Sequence, residues 1–180
     1  RKVGATVQAV SQSERRPTGV VDRLAGLVQR MLERSAVAGT GGDPVLELQT
    51  NFGGGKTHSL ISLYHLFSGI DISSLPDEIG ELVSAAGVEE IPPVNRAVVV
   101  GNRFAAGDIH EKPDGTVINT IWGEIAYQLG GKEAFDIVAE SDRNGKNPAD
   151  FFERLVAEYA PCLILIDEWV AYARELYERN

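Results

Sequence analysis

Three short runs, 45–48, 97–100 and 162–166, are apolar at nearly every position, and amphipathic helical patterns separate them. A strand with one wet face alternates polar and apolar residues. A strand that is apolar throughout is buried on both faces, and helices between such strands imply parallel crossovers. This predicts an α/β fold, a parallel sheet sandwiched by helices, with ligands at the carboxyl ends of the strands. The helical patterns fall at about 19–35, 56–67, 76–86, 116–129, 132–141, 148–159 and 169–177. Pro92-Pro93 precedes the second strand, and 102–115 is polar and loop-like. In the helix after the first strand, Leu60, Ile61, Leu63, Tyr64 and Phe67 are the apolar positions. Residues 1–17 form a lead-in with weak periodicity, and 18–180 reads as the N-terminal part of one domain.

Length and composition agree with this. A chain of 180 residues with 43% hydrophobic and 24% charged residues can bury its own core. The net charge of −9 argues against direct nucleic-acid binding, which needs clustered Lys and Arg. The single cysteine, Cys162, cannot form an internal disulfide, and the three histidines offer no dense metal-ligand spacing. No apolar run reaches the ~18 residues of a membrane span, and no secretory leader opens the chain, so a cytoplasmic setting is expected. The chain starts at Arg1 and stops within a charged helical pattern, which reads as part of a longer protein.

Both informative motifs lie at strand ends. The first is Thr50-Asn51-Phe52-Gly53-Gly54-Gly55-Lys56-Thr57. A phosphate-binding loop reads G-x-x-x-x-G-K-[ST] between a strand and a helix. Here the last three positions match and Thr50 replaces the first glycine. Gly53, Gly54 and Gly55 supply the backbone freedom that lets N–H groups converge on a phosphate. Lys56 offers a charge to the β- and γ-phosphates, and Thr57 a hydroxyl to Mg²⁺. The helix starting near Lys56 adds the positive end of its dipole.

The second motif is Leu163-Ile164-Leu165-Ile166-Asp167-Glu168, a Walker B pattern. Asp167 would hold the Mg²⁺ shell, and Glu168 would orient and deprotonate the attacking water. An acid pair suits hydrolysis. The base-reading Asn-Lys-x-Asp of GTPases is absent, and its nearest counterpart is Asn144-Gly145-Lys146-Asn147. ATP is therefore expected over GTP. Catalytic roles fall to Glu168 and Lys56, nucleotide binding to Gly53, Gly54, Gly55, Lys56, Thr57 and His58, and metal binding to Thr57 and Asp167.

Other residues have two readings each. His58 follows Thr57 and would approach the nucleotide; alternatively, both His58 and His65 are structural or solvent-facing. Phe52 either covers the loop or packs. Asn102 forms a turn or, if the second strand neighbours the third, hydrogen-bonds Glu168. Arg103 is a solvated loop residue or contacts phosphate or a neighbouring subunit. Trp122, Trp169 and Tyr172 read as helix core positions, because no basic residues interleave with them as in a base-stacking platform.

The stretch Leu48-Gln49-Thr50-Asn51-Phe52-Gly53-Gly54-Gly55-Lys56-Thr57-His58-Ser59-Leu60 resembles a family of large prokaryotic AAA+-type P-loop ATPases of unknown function, as Leu165-Ile166-Asp167-Glu168 resembles its Walker B. The family's loop likewise lacks the first glycine. The resemblance covers about 45–180. It implies a Mg²⁺-dependent ATPase module that couples ATP hydrolysis to conformational change. It also implies association with itself or with remaining domains of the same protein, in a DNA-modification or phage-defence setting. It further implies later strands and a helical lid beyond Asn180, so an incomplete sheet is expected, unless the two motif strands pair directly or another segment fills the gap. Two other functions remain open: a nucleotide-gated interaction module with negligible turnover, and a small-molecule phosphotransferase.

Overall fold

The computed structural model describes residues 5–6, 26, 55–85, 90–91, 93–104, 108–148 and 150–179. The strand expected at 45–48, the loop up to Gly54 and most of the 19–35 helix lie outside these; Gly26, within that expected helix, is helical. The chain divides into two compact units, 1–94 and 95–180.

In the first unit the described elements are β1 (Ala5–Thr6), α1 (Lys56–Leu66), a 3₁₀ turn (Ile72–Ser74) and α2 (Asp77–Ala85). Helix α1 starts behind Gly55, whose left-handed backbone (φ 76°, ψ 16°) is open to glycine at little cost. Its inward face carries Ser59, Leu63 and Leu66, spaced by one turn each, with Phe67 buried at the C-cap. Ile61, one of the apolar positions of this helix, falls on the other side and is 51% exposed. Periodicity alone could not choose the face, because apolar residues lie on nearly all sides of this helix. Gly69 (φ 79°) turns the chain away, and Val94 N–H returns to Phe67 C=O at 3.3 Å. The expected connector before α2 contains the 3₁₀ turn, capped by Asp71 Oδ1 accepting from Ser73 N–H at 2.8 Å.

The second unit is built on two parallel strands, β2 (Asn95–Val100) and β5 (Cys162–Asp167). They pair from Asn95↔Cys162 to Val100↔Asp167. On β5, Cys162, Leu163, Ile164 and Leu165 are all buried, as an all-apolar strand requires. On β2 only Ala97 and Val99 are buried. Its backbone also meets a helix: Gln128 accepts from Val98 N–H (2.8 Å) and donates to Val98 C=O (2.9 Å). One side-chain amide thus occupies the hydrogen-bonding groups that an edge strand would otherwise present.

Between these strands come a hairpin, β3 (His110–Glu111) with β4 (Val117–Ile118), then α3 (Ile121–Arg143) and α4 (Asp150–Glu158); α5 (Trp169–Arg179) follows β5. The hairpin corrects the loop expected through 115 and the helix expected from 116. Thr120 is the true N-cap, its Oγ1 accepting from Gly123 N–H at 3.1 Å. Helix α3 kinks at Gly130 (φ −156°) and Gly131 (φ 66°), which separates the two helices expected at 116–129 and 132–141. Ile121, Ile125, Leu129, Val138, Leu155 and Ile164 meet in the core.

Buried Asp142, near the end of α3, braces that helix's start. Its carboxylate accepts from Asn119 N–H and Nδ2, and from Thr120 N–H and Oγ1. Gly123 makes room for it, since a Cβ there would overlap Asp142 Oδ1 and lie 2.8 Å from its Cγ.

Candidate functional site

The two motif ends lie in different units. In the first, Gly55 places the start of α1 directly at Lys56. Gly55 offers no side chain to cap the helix, whose first turn carries the positive end of its dipole. Lys56 is half-buried; Thr57 and His58 are exposed. His65, further along, is exposed and stacks edge-on with Tyr64 at 5.5 Å. Gly53, Gly54 and Phe52 are outside the described residues.

In the second unit, β5 ends at half-buried Asp167 and exposed Glu168. Asp167 Oδ1 accepts from Glu168 N–H at 3.0 Å. Glu168 has φ 53°, and is the one positive-φ residue other than glycine among the described residues. Such a conformation costs a side-chain-bearing residue about 1–3 kcal/mol and persists only where surroundings impose it. Glu168 C=O accepts from Ala171 N–H at 3.0 Å, which joins it to the first turn of α5.

The neighbouring strand ends at the same level. Gly101 N–H donates to Asp167 C=O at 2.8 Å, and Arg103 and Phe104 N–H both turn back to Val100 C=O. Asn102 and Arg103 are exposed within that turn. β2 and β5 are neighbours, as the reading of Asn102 as a partner of Glu168 requires, but Asn102 makes no hydrogen bond to Glu168 and sits in the turn of the other reading. Sequence reasoning missed Gly101. The available signal was an isolated glycine ending an apolar strand, which marks a close backbone approach.

Tyr172 is 3% exposed, as expected of a core position, and its hydroxyl accepts from Ile121 N–H at 3.4 Å. Trp169 departs from that expectation: it is 38% exposed at the head of α5, with its ring 6.3 Å from Trp122 and 5.7 Å from Tyr172. Trp122 itself is partly buried and packs edge-on against Phe152 at 5.3 Å.

Among the described residues no group of three or more His, Cys, Asp or Glu gathers as a preformed metal site. Mg²⁺ needs no such cage, because it keeps waters and takes one or two carboxylates plus substrate phosphates. Also among the described residues, no helix is long and apolar enough to cross a membrane.

Fold and site together define an α/β protein with a parallel strand pair that delivers two acids at its carboxyl end. The chain belongs to the family described as the DUF499 N-terminal domain, whose model matches residues 16–180. No curated protein matches it, and no solved structure does.

Proposed function

We propose that the chain is the ATP-binding, Mg²⁺-dependent ATPase module of a larger AAA+-like protein, coupling hydrolysis to conformational change. The observation that carries this reading is the buried parallel strand β5 ending in Asp167 and Glu168, downstream of a Gly-Gly-Gly-Lys-Thr sequence whose last glycine opens a helix in the left-handed conformation. Lys56 would neutralise phosphate charge, Thr57 and Asp167 would hold Mg²⁺, and Glu168 would take the proton of the attacking water. His58, exposed one residue on, belongs to the nucleotide-binding set in this reading. The remaining domains or a second copy would complete the site, with DNA modification or phage defence as the setting.

The test is ATP turnover by the full-length protein and its Glu168→Gln variant. Removing a general base lowers the rate ~100-fold or more while leaving nucleotide affinity in place. Equal turnover in both would remove Glu168 from the chemistry. Retained binding with negligible turnover in both would favour a nucleotide-gated interaction module. Transfer of phosphate to an added small molecule would favour a phosphotransferase.

A further inference from the structure

Glu168 holds a backbone conformation that its own side chain disfavours, so something outside it must fix that conformation. The described contacts identify the neighbour. A Cβ built on Gly101 would overlap the carbonyl oxygen of Glu168, lie 2.9 Å from its carbonyl carbon, and lie 3.1 Å from Tyr172 Cβ. The first two are backbone atoms, which cannot swing aside as the tip of a side chain can. The same carbonyl accepts from Ala171 N–H, and the Gly101 amide donates to Asp167 C=O one residue earlier. The end of β2 is therefore seated directly on the peptide that links the strand to α5. In the preceding peptide, Glu168 N–H is taken by Asp167 Oδ1.

We propose that Gly101 is a positioning residue for Glu168: its lack of a side chain lets the Glu168 carbonyl pack against the end of β2, and this contact holds Glu168 in its left-handed conformation and so aims its carboxylate. This rests on the hydrolytic reading of Glu168. Gly101 itself is buried. Its effect passes through the Glu168 peptide, so a side chain at 101 would displace the acid.

The experiment compares full-length wild type, Gly101→Ala, Glu168→Gln and Gly130→Ala. Gly130→Ala is the control for a crowded glycine: its Cβ would overlap the Tyr159 ring, on α3 and away from Glu168. Turnover is measured per nucleotide-binding site, with KM and kcat separated. Gly101→Ala is expected to keep its KM and binding stoichiometry while kcat falls ~10–100-fold, the scale of a misplaced catalytic group. Gly130→Ala is expected to keep kcat per binding site, whatever its thermal stability. If Glu168→Gln abolishes turnover and Gly101→Ala matches wild type per site, the positioning role is overturned and the hydrolytic reading stands. If Glu168→Gln turns over like wild type, both fall.

Should Gly101→Ala fail to fold, the melting temperatures of Glu168→Gly, Glu168→Gln and Glu168→Val decide. A locked left-handed residue gains from glycine, so the Gly variant should melt about 2–4 °C above the Gln variant, with Val lowest. Equal melting of Gly and Val variants would show that Glu168 is not held there, and would overturn the inference.

Discussion

Cys162 opens β5 with 6% of its surface exposed, and burial pushes its thiol from the ordinary 9.0 up to about 11. The folded state therefore binds this proton more tightly than the unfolded chain does. The associated stability is fully present below pH 9.0 and is lost as pH rises towards about 11. Denaturant unfolding at pH 8, 9, 10 and 11 should show this decline, and Cys162→Ala should flatten it relative to wild type. The neutral, buried thiol should also resist alkylation at pH 8 until the protein is unfolded. At the same scale, Asp142→Ala would strand several buried donors around Asn119 and Thr120 at once. It should lower stability by about 3 kcal/mol or more, read from the midpoint of urea unfolding. The sequence held no hint of Asp142, because its partners lie more than twenty residues away on the chain and an acid in a helix reads as solvated.

The elements were legible wherever local physics decides them. The apolar runs at 97–100 and 162–166 became paired parallel strands, and two adjacent glycines, Gly130-Gly131, broke the α3 pattern where the two expected helices part. The start of α3 was misplaced, since two-residue strands such as Val117–Ile118 are set by pairing with His110–Glu111 and leave no periodicity to read. The buried side of α1 could not be read for a related reason, as tertiary packing chooses among several apolar faces and leaves Ile61 exposed. Gln128 belongs at this scale too. Its amide closes the outer edge of β2, so Gln128→Leu should leave Val98 N–H and C=O unpaired. A loss of about 1–3 kcal/mol is expected, together with faster amide exchange at Val98. An unchanged exchange rate at Val98 would show that the edge is protected by other means.

For the whole molecule, the sequence supplied the chemistry and the structure supplied the surroundings of one half of it. Asp167 and Glu168 stand at the carboxyl end of a parallel pair, where the apolar strand pattern placed them in advance. What the pattern lacked was the backbone of Glu168 and its glycine neighbour, because dihedral angles and close approaches depend on a strand over sixty residues earlier in the chain. The proposed phosphate-binding half rests on Gly55, Lys56 and Thr57 at the head of α1, so that end carries the central claim. The direct measurement is Mg²⁺·ATP binding by calorimetry to the full-length protein and to Lys56→Ala. Removing the lysine charge from a phosphate site should weaken binding by ~30-fold or more. Equal affinity in the two proteins would contradict the nucleotide-binding account.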